Sequence, residues 1–431
     1  MSRLLVYTQH ISPRLRYIVY TLFGDDALLG SDLAEALAFD GPVINYSRDI
    51  LPGTSCRIVP KGLLQEQSIH GIELDPGQWQ DMPIFFQTAG DIPFDLFAAA
   101  FYLISRYEEY LPHEADHYGR YAHTNSTAYQ LNFLQRPLVN EWLQALELHL
   151  QQLYPHWRAA QPVFYLKPSY DIDMAYRYRH HAPFRNIAAF FRDLLQGKFE
   201  TVLERAQVYS GRQQDPNDVY DWLHQLHQEH ALEPLYFFLL AEKRKGVDKN
   251  PDPFTPGMRQ LVQSIAAQYA TGIHPSWQSG DDEQVLEREK RLLAYYSGRP
   301  VTASRQHYLR LTLPHTYRRL LDVGIQADYS MAYGTVNGFR ASWTLPFFWY
   351  DLEKDMQTSL LIYPFCYMDS TAIFWERLTI DEAAVELETL YQRVRRVNGL
   401  FMPVFHNHFL TEQQEWIGWR QLYQDFLERN G

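Results

Sequence analysis

From Val163 onward, short apolar runs alternate again and again with longer segments whose apolar residues recur at helical spacing. That rhythm narrows the fold sharply. Strand-like runs fall near 163–166, 235–240, 272–274, 301–303, 327–330, 360–364 and 402–405. Helical patterns fall near 218–230, 256–269, 281–296, 315–323 and 380–398. Repeated strand-then-helix units predict parallel strands closed into a barrel. Residues 1–157 read differently. Strands are expected at 4–7, 43–46 and 56–60, and helices at 13–23, 94–110 and 140–154, so a smaller α/β or α+β unit precedes the barrel. The segment 154–162, with Pro155 and Pro162, reads as a linker, giving an accessory domain over 1–157 and a barrel over 161–431. No repeat or low-complexity segment is present.

Charge and composition exclude several functions. The 431 residues carry a formal net charge of −12, the wrong sign for a nucleic-acid or anionic-membrane partner. The basic runs at 177–181, 243–245 and 393–396 are short and read as solvated faces. No stretch approaches the roughly 18 apolar residues of a membrane span. The apolar run Leu4-Leu5-Val6-Tyr7 is far shorter than a signal-peptide core, so a cytoplasmic location is expected. Two distant cysteines, Cys56 and Cys366, match no metal or redox spacing. Aromatic residues make up 15% of the chain, a wealth that suits sugar stacking and bulky cores equally.

In a barrel of this kind, reactive groups belong at the carboxyl ends of the strands. Asp171 and Asp173 follow the first strand, and His274, Ser276 and Trp277 the third. Arg305, Gln306, His307 and Tyr308 follow the fourth, Asp369 the sixth, and His406, Asn407 and His408 the last. Alone, the Asp-x-Asp pair reads more simply as a turn cap, and each histidine as a structural one. Together with Asp173, the histidines His274, His307 and His406 could give a His-His-carboxylate set with an open position, as in catalytic sites for zinc or a similar divalent ion. Two neighbouring carboxylates would then be relieved of their repulsion by the cation.

The ordered strings Ser169-Tyr170-Asp171-Ile172-Asp173, Tyr236–Leu240, Gly272-Ile273-His274-Pro275-Ser276, Ser304-Arg305-Gln306-His307-Tyr308, Gly338-Phe339-Arg340-Ala341 and Phe405-His406-Asn407 resemble the NodB-homology polysaccharide deacetylases, carbohydrate esterase family 4. The resemblance covers about 160–431. It implies a distorted (β/α)7 barrel, TIM-like in outline, and hydrolysis of N- or O-acetyl groups on carbohydrate. It also implies a divalent metal: zinc, with cobalt, nickel or manganese as alternatives. Asp171 matches the catalytic base, Asp173 and His274 metal ligands, Arg305 the arginine that orients the base, and His406 the general acid. One position departs from the family pattern. Gln278 stands where a second histidine is usual, and His307 is the substitute expected here. Arg340, Tyr308, Trp277 and Asp369 are candidates for substrate contact. For Arg340 a structural salt bridge, and for Asp369 orientation of His406, are the alternatives. Trp343 and Trp349 join Trp277 as stacking candidates, with core packing as the alternative. Residues 1–155 resemble an accessory region of some deacetylase-like proteins, with Ser105-Arg106-Tyr107-Glu108-Glu109-Tyr110 as the distinctive string. Competing readings are a degenerate deacetylase fold that binds glycans or proteins, and an amidohydrolase acting on a small amide. The sequence sets no oligomeric state.

Overall fold

The computed structural model describes residues 3–181 and 183–431; Met1 and Ser2 of the amino-terminal run lie outside them. The amino-terminal portion is built on a four-stranded parallel sheet. Its strands are β1 (Leu4–Tyr7), β2 (Ala27–Gly30), β3 (Val43–Asn45) and β4 (Cys56–Arg57), in the order β2-β1-β3-β4. Helix α1 (Pro13–Phe23) starts where Ser12 accepts the Leu15 N–H and Pro13 supplies a preset φ at the first turn. Helix α2 (Leu96–Ile104) is capped by Asp95 and buries all nine of its residues, so it is apolar all round. Helix α3 (Leu138–Leu153) buries one face through Leu138, Trp142, Leu146 and Leu150.

The expected helix 94–110 is interrupted. Arg106 takes a left-handed conformation at φ 57°, and a short 3-10 turn follows over Tyr107–Tyr110. The break turns the Arg106 guanidinium inward onto Glu108 and Glu109. Strand β2 carries no alternation and was not anticipated.

The large sheet of the second portion has eight strands among the described residues: β5 (Ser169–Ile172), β6 (Leu235–Phe238), β7 (Ala270–Ile273), β8 (Ala303–Ser304), β9 (Ala327–Met331), β10 (Phe347–Asp351), β11 (Met356–Pro364) and β12 (Val404–His406). They form one sheet in the order β10-β11-β9-β8-β7-β6-β5-β12, parallel except for the β10–β11 pair. Helices Tyr220–Glu229, Pro256–Gln268, Glu283–Ser297, His315–Asp322 and Ile380–Arg396 occupy the crossovers. The four residues of β6 are all buried, the continuous apolar run of a sheet covered on both faces. Just after β11, Met368 makes a single parallel bridge to Val404 of the edge strand β12, and the Val404 N–H donates to Tyr367 O at 3.0 Å.

Two strand expectations need correction. The run 163–166 is not the strand that carries the aspartates: Tyr165–Leu166 pairs with Leu400–Phe401 in a separate two-stranded ladder, and Ser169–Ile172 enters the large sheet. Pro168 separates the two, since it offers no N–H to a continuous ladder. The antiparallel β10 was also missed. It contains Trp349, which with Trp343 is 2% exposed, so both rings are core and neither is open for stacking.

The two portions share one apolar core. The Tyr17 ring of α1 lies 4.8 Å from Tyr350 of β10, Phe101 of α2 lies 5.2 Å from the same ring, and the Tyr17 hydroxyl donates to Phe348 O at 2.8 Å.

Candidate metal centre

Register places the reactive groups side by side. Asp171 of β5 is the direct partner of His406 in β12 and of Phe237 in β6, and Ile273 pairs with Ser304. Within β5 the pleat sends Tyr170 outward to His227 and Tyr423, while Ser169 and Asp171 face the buried Arg305. Arg305 is fully buried. It donates to Asp171 Oδ1 at 2.8 Å, to Ser169 Oγ at 2.9 Å and to the Tyr329 carbonyl at 3.0 Å. Its guanidinium lies 4.4 Å from the Phe237 ring centre and 5.1 Å from that of Phe365. A fixed, flanked fork of this kind holds one carboxylate oxygen in place.

Asp173 lies just beyond β5. Its Oδ1 is 3.2 Å from His274 Nε2 and its Oδ2 is 3.5 Å from His307 Nε2. One ligand atom from each of Asp173, His274 and His307 lies within 4.8 Å of the other two. The second nitrogen of each ring is already engaged. His274 Nδ1 meets the Arg305 carbonyl at 2.5 Å, and His307 Nδ1 meets Asp248 Oδ1 at 2.8 Å. A ring that donates from Nδ1 leaves the Nε2 lone pair free, the arrangement by which metal-binding imidazoles are oriented. His307 therefore faces the other two groups, as the sequence argument for a substitute ligand requires.

The residues fit a divalent cation. Asp173 Oδ1 is buried with no hydrogen-bond partner. The 3.2 and 3.5 Å separations match the edge of a tetrahedron with bonds of about 2.0–2.2 Å. The two-nitrogen, one-oxygen donor set suits zinc and neighbouring first-row ions. Burial disfavours the Asp173 carboxylate, yet the facing His307 and His274 hold its pKa well below the ordinary value. Burial also disfavours the charged form of His307, but Asp173 and Asp248 outweigh it and push the imidazole up to about 9, so a cation taken up here would displace the proton from Nε2.

His406 stands on the other side of Asp171. Its Nδ1 is 2.6 Å from Asp369 Oδ1, and its backbone N–H donates to Asp369 Oδ2 at 2.6 Å. Its Nε2 is 3.7 Å from Asp173 Oδ2 and 4.0 Å from Asp171 Oδ2. Burial works against a charged imidazole here too, and Asp369 reverses that, raising the pKa to about 9. Asp369 thus orients His406 rather than pairing with Arg305 or Arg340.

A cavity of about 590 Å³ opens over these groups. Asp171, Asp173, His274, His307, Tyr308 and His406 line it. Arg340 does not, contrary to the expectation that it borders the cleft. Its guanidinium is buried against Glu109 at 2.8 and 2.5 Å and the Ala332 carbonyl at 3.0 Å. Trp277 is likewise absent from the lining, because the Arg310 guanidinium lies 4.5 Å from its ring centre. Gln278 points away, donating to the Lys243 carbonyl at 2.5 Å. Gln306 does line the cavity, and its Nε2 is buried without a partner.

Several lining or supporting residues escaped the sequence argument. Asp248 lies in a loop with no motif; only its place after β6 could have flagged it. His117, Tyr118 and Arg120 reach the cavity from the amino-terminal portion, and Phe374 and Trp375 from the turn after β11.

A model for a family of unknown function, DUF7033, matches residues 4–155. No curated protein matches the chain. Among solved structures, a candidate polysaccharide deacetylase from Mycobacterium smegmatis is similar at 14% identity, covering 63% of this chain and 88% of its own, with a TM-score of 0.39. The polysaccharide deacetylase from Bacillus cereus is similar at 10% identity, covering 62% and 89%, with a TM-score of 0.31. A carbohydrate esterase family 4 pseudoenzyme from Bacillus anthracis is similar at 10% identity, covering 65% and 67%, with a TM-score of 0.31. These are remote likenesses, and the function argued next stands on the site itself. Among the described residues no helix is long and apolar enough to cross a membrane.

Proposed function

We propose that the chain is a metal-dependent hydrolase that removes acetyl groups from an acetylated carbohydrate. The observation that carries this reading is the convergence of Asp173, His274 and His307 within 4.8 Å, beside a carboxylate held by Arg305. A bound divalent ion would polarise the acetyl carbonyl and lower the pKa of the attacking water. Asp171, with Oδ1 fixed by Arg305, keeps Oδ2 free to accept the proton that water loses. Gln306 Nε2 offers a buried donor to a substrate oxygen. His406, whose Nδ1 meets Asp369 and whose charged form that carboxylate favours, delivers a proton from Nε2 to the departing nitrogen. The balance is that of hydrolysis: a C–O bond forms, the C–N bond breaks, and acetate and an amine leave.

The seven parallel strands, their intervening helices and the Met368–Val404 bridge support a distorted (β/α)7 barrel over 161–431 behind an accessory domain over 1–157. The test combines elemental analysis of the purified chain with acetate release from acetylated sugars. The expectation is about one divalent ion per chain and a metal-dependent release that Asp171→Asn abolishes. A chain that neither holds a divalent ion nor releases acetate would leave the degenerate, binding-only reading.

A further inference from the structure

Resting on the reading just given, we propose that residues 116–120 of the amino-terminal portion form a fixed wall of the cavity that admits the end of a short acetylated sugar chain and blocks passage of a polymer. The cavity, at about 590 Å³, falls within the roughly 300–1,000 Å³ of pockets that enclose one small ligand. A polymer worked on internally needs a cleft open at two ends. Here His117, Tyr118 and Arg120, from the amino-terminal portion, border the cavity that Asp171, Asp173 and His406 line.

The wall is braced. Asp116 Oδ1 accepts the N–H groups of Tyr118 and Arg120, each at 2.9 Å, and its Oδ2 takes Arg120 Nε at 2.7 Å. Arg120 Nη1 then donates across to the Tyr308 carbonyl at 2.5 Å. Arg120 passes so close to Gly334 that a Cβ there would lie 2.1 Å from its Nη1, so no other residue at 334 leaves this strut in place. Since these donors are committed to protein acceptors, Arg120 positions the wall rather than binding substrate. The face it presents is aromatic. The Tyr118 ring lies 4.9 Å from Tyr308 and 6.1 Å from Trp375, both edge-on. Trp375 is 39% exposed and Phe374 53% exposed, at the cavity border. The Arg120 guanidinium lies 5.0 Å from the Tyr118 ring centre and the His117 ring 3.8 Å from it, so the wall holds Tyr118 in place as the ring that the amino-terminal portion contributes to the cavity.

The experiment uses the full chain with Asp171→Asn, so that ligands bind without turnover, and titrates it calorimetrically with N-acetylglucosamine and its β-1,4-linked dimer, tetramer and hexamer. The wall predicts affinity that stops rising beyond the dimer. Adding Tyr118→Ala should weaken dimer binding about tenfold, the size of one lost ring contact, whereas Tyr118→Phe should retain it. Trp375→Ala, at the exposed rim, gives a second reading of the same face and should weaken the dimer in the same direction. A hexamer that binds far more tightly than the dimer, an unaltered affinity in Tyr118→Ala, or no binding of any member overturns the proposal. Binding as expected by a wild-type chain that releases no acetate would sink the hydrolase reading and leave the wall standing.

Discussion

Glu109 and Arg340 meet in a two-point ion pair, Nε to Oε1 at 2.8 Å and Nη2 to Oε2 at 2.5 Å, with both side chains 2% exposed. Glu109 also receives Arg106 at 2.7 Å, and Arg106 in turn holds Glu108 at 2.6 Å. Removing one member of such a group strands a buried charge. Glu109→Ala should therefore cost about 3–5 kcal/mol of stability, read as a fall in the denaturant midpoint. A loss below 1 kcal/mol would mean water already reaches the pair.

The same pair has a pH signature. Burial raises the Glu109 pKa, and Arg340 and Arg106 overcome that, bringing it from the ordinary 4.5 down to about 2. A depressed carboxyl contributes stability that is complete above its unfolded value and lost as pH falls through its folded one. The stability gap between wild type and Glu109→Gln should be widest above pH 4.5 and should close towards pH 2. A gap constant over that window would contradict the assignment.

Asp248 does not line the cavity, yet it fixes the ring of His307. Asp248→Asn should weaken metal affinity about 10- to 100-fold, the usual effect of losing the partner that orients a metal-binding imidazole. His307→Ala should abolish stoichiometric binding. Competition against a chelating indicator distinguishes the two, and equal affinity in wild type and His307→Ala would remove His307 from the ligand set.

Proton transfer should separate cleanly from metal binding. Asp171→Ala and His406→Ala are each expected to slow turnover about 100- to 10,000-fold while metal content stays unchanged. Asp369→Asn takes away the charge that raises His406. Its pKa should fall, so the alkaline limb of the pH–rate profile should move to lower pH. An alkaline limb that stays in place would assign that limb to another group.

Strand-end positions were legible because parallel strands leave a mark in local pattern: a buried apolar run, then a polar residue. Register sets Asp171 beside His406 and aligns the strand ends that Asp173, His274 and His307 follow. Arg340 and Trp277 were misplaced for a physical reason. Their neighbours, Glu109 and Arg310, satisfy or cover them, and the Glu109 partner is 231 residues away. No periodicity encodes such a contact. Tyr118 and Arg120 were invisible on the same ground, since a loop in one portion says nothing of the cavity it will border in another. The break at Arg106 was hidden by an apolar pattern that ran on through it.

The aromatic seam joining Tyr17 and Phe101 to Tyr350 bears on how the chain can be handled as a material. A truncation near residue 160 would strip these rings of their partners and expose a greasy scar on each product. Neither fragment should be a well-behaved reagent on its own, and grafting the front portion onto a different hydrolase would require carrying the matching half of the seam along with it.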